Sequence, residues 1–597
     1  MRFRTDMIFR KTGFAWVFPT IATLLVWSGI VAVGQNRPLE RAESVREEVL
    51  REMEQRGAAS MSDDRDVVED TNVDDTPFGV DLRSIHLISH QDKATMSAAP
   101  GSDPVVIDSE LPAPEGLVAR LTPFVGQPMS MKLLSEVGNE IVLAWRDSDY
   151  PLVDVYYPEQ NITGGKLQVV VREAVLGDKS TDGTVNSKPE YLLSQLRVES
   201  GDRINRRVVE SDLDWLNENP IRQVNLIYER GETDGTSDIV LDVTEENPLR
   251  AYAGFANTGV ESTGEEEWSF GFNYYNPFQL EHMFGYHFAT DLEWDNLEAH
   301  SFYYQAFLPW RHTLSFLGAY VSSESLPSFP TMVEGQSRQF SIEYRIPLER
   351  PSFNRNWRHS ITAAFDYKST NTDLIFGGFT FFGTDVQVGQ FRTAYDVLVR
   401  DDSGVTRAAV GFVASPGDMF DNNDDFSFGL ARAGSTADYF YAFAELERLQ
   451  DLPGGAKLRF KMHAQGSSDR LSSTEQLLAG GYQTVRGFDE SLIRGDSGIL
   501  TTLELISPDF SLCNSLGGPG GDTWNGILFW DAAALDISDA LPGEISPSIQ
   551  SIGLGLNCRF SDWGTARAAY GWEVQSHGLL PTDDDGGKFH FGFTLIY

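Results

Sequence analysis

The stretch EWSFGFNYY, residues 267–275, alternates without a break: Trp268, Phe270, Phe272 and Tyr274 fall on one side of an extended chain, Ser269, Gly271 and Asn273 on the other. Side chains along a strand repeat every two residues, so this is a ribbon with one aromatic and one polar face. The period returns in GTARAAYGWEV, residues 564–574, where Ala566, Ala568, Tyr570 and Trp572 oppose Arg567 and Glu573. It closes the chain in KFHFGFTLIY, residues 588–597, with Phe589, Phe591, Phe593, Leu595 and Tyr597 on one face. A soluble β-sandwich also alternates, but it turns the polar face outward and seldom repeats aromatic girdles on the other. Aromatic faces against lipid and polar faces around a wet interior make a membrane β-barrel.

This texture starts at Leu249 and holds to Tyr597. A crossing strand needs about 9–11 residues, so residues 249–597 hold about sixteen antiparallel strands with turns and long loops. Fourteen or eighteen fit the same length. The terminal strand, Phe589 to Tyr597, is read as the segment by which assembly machinery brings the barrel into the membrane.

The totals exclude other classes. A chain of 597 residues exceeds one ordinary core, and a net charge of −40 is the wrong sign for nucleic acid, whose phosphates need a basic face. Mean hydropathy is slightly negative despite 12% aromatic residues, which a bundle of membrane helices would not give. The two cysteines, Cys513 and Cys558, are too few for a disulfide scaffold and wrongly spaced for a metal knuckle. No phosphate-cradling loop, nucleophile elbow or His-Glu-x-x-His is present, and none of the ten histidines pairs with a nucleophile. No catalytic residue, metal or cofactor is expected.

Residues 1–34 have the order of a secretory signal: Arg2, Arg4, Arg10 and Lys11, the apolar run IATLLVWSGIVAV, then Ala32 and Gly34 at the small positions. The apolar run is short of the ~20 residues a membrane anchor wants. Residues 35–80 supply a helix over 40–56, with Ala42, Val45, Val49 and Met53 as its stripe, and an acidic linker from Ser62 to Asp75. A first α+β module is expected over 81–178, its helix showing Met131, Leu134, Val137, Ile141 and Trp145 on one face and its strand alternating Leu167, Val169 and Val171. A second occupies 187–247, with Asn205 as N-cap, Val209, Leu213 and Leu216 on a helix face, and two strands through Val224 and Ile239.

The stretch SSTEQLLAGGYQTVRGFDESLIRGDSGILTTLELISP, residues 472–508, resembles the outer-membrane transporters of two-partner secretion, the haemolysin/haemagglutinin secretion-activation type. YYPEQNITGGKLQVVV and DLDWLNENPIRQVNLIYERGETDGTSDIVLDV are similar to parts of that family's two POTRA (polypeptide-transport-associated) domains. The resemblance implies a membrane all-β barrel of sixteen strands preceded by two small α+β POTRA domains and an N-terminal helix. It also implies that Val485, Arg486, Gly487 and Phe488 form the tip of an extracellular loop folded into the lumen, where the arginine pairs with the aspartate of a Phe-x-Asp-x-Gly strand. In GILFWDAAAL, residues 526–535, Phe529 and Asp531 match that strand, but Ala533 stands where the glycine belongs and puts the local packing in question. Alternation supports the orientation: with Leu528, Trp530 and Ala532 toward lipid, Phe529, Asp531 and Ala533 face the lumen.

The resemblance further implies a non-enzymatic pore in the cell outer membrane, its POTRA domains in the periplasm. It would secrete a partner exoprotein without ATP, the POTRA domains binding the unfolded client by strand addition and folding outside drawing it across. Its partners would be that client, outer-membrane lipids and the barrel-assembly machinery, and no nucleic acid. An insertase that assembles other barrels, and a passive porin or surface-binding barrel, are the competing functions. Helix 40–56, ~25 Å long, suits a plug in a wet lumen and equally a solvated helix. With the Arg486 loop extracellular, both thiols fall on the oxidising periplasmic side, and a Cys513–Cys558 disulfide is the expected pairing.

Overall fold

The computed structural model describes residues 74–97, 103–325, 331–351, 354, 356–376, 379–515, 521–561, 563–579 and 586–597. The expected signal, the helix over 40–56 and most of the acidic linker lie outside the described residues. Contacts divide the chain into two compact units, with Asn247 ending one and Pro248 opening the barrel.

In the first unit, β1 (Ser84–Ile88), β2 (Val105–Ile107), β3 (Val153–Tyr156) and β4 (Lys166–Glu173) form a sheet in the order β2-β1-β4-β3. The helix Met131–Arg146 starts at Ser130, whose hydroxyl accepts the Leu133 N–H at 3.2 Å, a side-chain cap. It buries Leu133, Val137, Ile141, Ala144 and Trp145 against Leu167, Val169 and Val171. The buried stripe therefore begins at Leu133; Met131, placed on it by the sequence pattern, is exposed, and Leu134 sits at its edge.

The second sheet takes the order β5-β7-β6, from β5 (Val175–Asp182), β6 (Arg222–Arg230) and β7 (Thr236–Glu245). Residues 175–178, expected in the first module, thus belong to the second, and so do 179–182. β5 reads VLGDKSTD and buries only Leu176, so it carries no apolar alternation to announce a strand. The helix Arg206–Leu216 is capped by Asn205, whose side chain accepts the Val208 N–H at 3.3 Å.

The barrel is closed and has sixteen antiparallel strands. They are β8 (Leu249–Ala256), β9 (Glu267–Tyr275), β10 (Met283–Asp291), β11 (Leu297–Phe307), β12 (Thr313–Glu324), β13 (Thr331–Pro347), β14 (Trp357–Phe376), β15 (Phe379–Asp401), β16 (Gly404–Pro416), β17 (Asp438–Asp451), β18 (Lys457–Ser467), β21 (Ser497–Ile506), β22 (Asp522–Asp536), β23 (Ser548–Phe560), β24 (Gly564–His577) and β25 (Lys588–Ile596). A short hairpin of β19 (Leu477–Ala479) and β20 (Ile493–Gly495) lies inside the loop between β18 and β21. β25 pairs with β8, and Ala251 and Tyr597 exchange backbone hydrogen bonds at 2.9 and 2.8 Å, so the ladder closes and leaves no open edge to lipid.

Both ends of the barrel chain share one rim with the tight connections 402–403 and 452–456; the opposite rim carries the long loops 417–437, 468–496 and 537–547. Short turns are periplasmic and long loops extracellular in outer-membrane barrels. The faces alternate as the sequence requires: Leu528 and Trp530 are 53% and 37% exposed, while Phe529, Asp531 and Ala533 between and beyond them are buried. Glycines on the polar face make room for inward rings. A Cβ on Gly271 would lie 2.3 Å from the Tyr252 hydroxyl, and one on Gly553 would lie 2.2 Å from the Phe529 ring.

Candidate functional site: the seat of an in-folded loop

Loop 468–496 turns back at its middle because three glycines hold positive φ there: Gly480 (+117°), Gly481 (+91°) and Gly487 (+94°). Thr484 ties the turn, its hydroxyl accepting the Gly480 N–H at 2.8 Å and donating to the Gly480 carbonyl at 2.9 Å. At Gly487 and Gly571 the loop and the wall meet backbone to backbone. A Cβ on Gly487 would sit 2.7 Å from the Gly571 carbonyl oxygen, and one on Gly571 would sit 2.6 Å from the Arg486 carbonyl.

This approach carries Arg486 to Asp531 on β22. The guanidinium Nε donates to Oδ2 at 2.7 Å and Nη2 to Oδ1 at 2.8 Å, and the Arg486 backbone N–H adds a third bond to Oδ2 at 3.1 Å. Nη1 donates to Glu504 Oε1 on β21 at 2.7 Å. The cation also lies on Phe529, 3.6 Å from the ring centroid, and Phe529 can lie flat on the wall because Gly553 has no side chain beneath it. Side-chain exposures of 6% for Arg486, 0% for Asp531 and 8% for Glu504 make this a desolvated triad. The charges continue around the wall to β18, Arg459 Nη1 donating to Glu504 Oε2 at 3.3 Å.

The other flank of the tip rests on β24 and β25. The Gly487 N–H donates to His590 Nε2 at 3.1 Å, so this nitrogen must keep its lone pair free. Tyr482 presents its ring to the Arg567 guanidinium at 4.1 Å, and Lys588 bonds Asp489 of the loop at 2.6 Å. Val485 and Phe488, the apolar members of the tetrad, pack with Ala479, Ile493, Leu500, Ala533, Leu535 and Ile549. Ala533 thus belongs to the apolar cluster that receives the loop tip, and the ion pair forms with it in place.

Sequence reasoning does not reach Glu504 or His590, although both carry a signal: a lone acid between the outward Leu503 and Leu505, and a lone imidazole between Phe589 and Phe591. On β25, Phe589, Phe593 and Leu595 are exposed on the outer face, as is Tyr597 just beyond it, and Phe591 packs between Phe255 and Phe589. The expected disulfide is absent. Cys513 and Cys558 are free thiols, the first exposed on the short helix Leu512–Ser515 with its N–H held by Asp522 at 3.1 Å, the second buried on β23. Among the described residues no cluster of His, Cys, Asp or Glu is arranged to hold a metal.

A closed barrel with a polar-lined lumen, preceded by two small α+β modules, defines an outer-membrane protein of the POTRA-plus-barrel class. The family described as Haemolysin secretion/activation protein ShlB/FhaC/HecB matches residues 235–517. The outer membrane transporter CdiB-2 of Burkholderia pseudomallei is 24% identical over 392 residues, 60% of this chain and 62% of that protein, so the match spans less than two thirds of this relative. The outer membrane transporter CdiB of Escherichia coli O6:K15:H31 is 22% identical over 484 residues, 74% of this chain and 76% of its own. The solved structure of CdiB from Escherichia coli superposes with a TM-score of 0.70 at 17% identity, covering 94% of this chain and 98% of that one, a likeness of fold. Over these stretches the chain is similar to the two-partner secretion outer-membrane transporters, and its fold is that of an outer-membrane barrel.

Proposed function

We propose that this protein passes a partner exoprotein, unfolded, from the periplasm to the cell surface. The POTRA modules take the client by strand addition at a sheet edge, and the in-folded loop gates the lumen. No nucleotide site is invoked, because folding of the client outside withdraws it from the equilibrium and sets the direction. The observation that carries the reading is the seat of Arg486: an arginine on an extracellular loop, held on the inner wall by Asp531 and Glu504. A passive porin has no need of such a device.

The test uses the strain that makes the protein. Its deletion is expected to remove one large secreted β-rich protein from the medium. A general loss of outer-membrane barrels would favour the insertase reading instead, and a loss of small-solute uptake alone the porin. Arg486→Ala and Asp531→Ala are each expected to lower export while the barrel still reaches the membrane; full export in both would remove the seat from the mechanism.

A further inference from the structure

A second cluster of buried charge lies at the extracellular mouth. Asp496, fully buried, ends the in-folded loop just before β21. Its carboxylate accepts Arg432 Nη1 and Nη2 at 2.5 and 2.9 Å, the Leu471 N–H at 3.1 Å and the Ser538 N–H at 3.0 Å. Those partners come from three different extracellular loops, 417–437, 468–496 and 537–547. Arg470 repeats the stitch beside it, donating to Glu544 at 2.6 and 2.8 Å and to the Ala433 carbonyl at 2.8 Å. Arg432 brings with it the helix Asp425–Ala431, whose Phe428 is fully buried against Val386, Val388, Val413 and Leu471 of the inner wall and loop.

The two clusters occupy different depths. Asp496 bonds the Asp536 carbonyl at the rim end of β22, and Asp531 lies five residues further down that strand. At about 3.4 Å per residue the separation along the wall is about 17 Å, too far for one arginine to serve both.

We propose that Asp496 is the keystone of a second closure, an extracellular latch of three loops in series with the Arg486 seat. It rests on the export reading only for its purpose; the closure itself is tested without a client. Ser415 is buried under loop 417–437, its hydroxyl bonded to the Ala437 carbonyl at 2.7 Å, and serves as the probe position. Ser415→Cys in the full-length protein on whole cells is treated with a membrane-impermeant maleimide; the native thiols lie at the opposite rim. Asp496→Asn and Arg432→Gln should each raise the labelling rate at least about tenfold, equal to about 1.4 kcal/mol of latch stability. In planar bilayers the ionic current of these variants should stay near that of the parent while the Arg486 seat is intact, and rise when Arg486→Ala is added. Heat-modifiable mobility identifies barrels that have folded, and only those are scored. Unchanged labelling in both folded variants would overturn the latch. A current that Asp496→Asn alone raises as far as Asp496→Asn with Arg486→Ala does would overturn its independence. If instead labelling responds but deletion of the protein leaves every secreted protein in the medium, the export reading fails and the latch stands.

Discussion

At Arg486 a single cation answers two buried acids, so the three substitutions that disturb its seat should differ in cost. Asp531→Ala strips three hydrogen bonds and leaves a guanidinium buried beside Glu504, a loss of about 3–5 kcal/mol of seating energy. Glu504→Gln keeps the two-pronged pair with Asp531 and should cost about 1–3 kcal/mol. Gly571→Ala alters no charge, yet its methyl would meet the Arg486 backbone at 2.6 Å, and neither backbone can swing aside as a side chain would. With the latch released by Asp496→Asn, channel-opening frequency in planar bilayers should therefore rise in the order Glu504→Gln, then Asp531→Ala, with Gly571→Ala also above that background. A Gly571→Ala no higher than that background would mean that the tip is held by charge alone. Arg486 and Asp531 were legible because a short motif marks them; Glu504 and His590 were legible only as inward-facing residues. That His590 meets Gly487, 103 residues away, depends on the barrel closing at β25, which no local pattern reports.

Among the elements, β7 of the second module ends in a carboxylate with an unusual load. Glu245 accepts the backbone N–H groups of Val185 at 2.8 Å, of Ser187 at 3.0 Å and of Asn186 between them, anchoring the segment that follows β5. Burial works against its charge, but the N–H groups of Asn186, Ser187 and Val185 outweigh this and hold the carboxyl below its usual range. With the folded value below the unfolded one, this contribution is full above the ordinary glutamate pKa of about 4.3 and is lost as pH falls below it. Hydrogen exchange at Val185–Ser187, corrected for intrinsic rates, should show protection falling with acid in the parent. In Glu245→Gln it should be lower at neutral pH by about 1.5–3 kcal/mol and largely indifferent to acid. The same segment explains why the module boundary was misplaced: β5 is polar, and its strand character comes from pairing with β7. At the other end of the chain, reduction should leave the mass unchanged and alkylation should find two thiols, at Cys513 and Cys558. Their placement on one rim was legible, but being on one rim did not bring them into a bond.

For the whole molecule the informative line is the seam where the cylinder closes. β25 meets β8 through five residue pairs, Gly592–Ile596 against Tyr252–Ala256, the shortest ladder of the barrel among the described residues. An insertase must deliver strands sideways into lipid, so its wall has to part, and the shortest ladder breaks at least cost because each exposed backbone group in lipid costs several kcal/mol. A secretion pore threads its client along the lumen and can keep the wall shut throughout. Ala253 and Leu595 lie opposite one another across the seam, at a spacing that antiparallel partners share and a disulfide accepts. With Cys513 and Cys558 replaced by serine, Ala253→Cys with Leu595→Cys should oxidise to a covalently closed barrel that exports its client at the rate of the reduced form. Export or barrel assembly that stops on oxidation and returns with reductant would require lateral opening, and would move the assignment from a lumen-threading pore to a wall-opening machine.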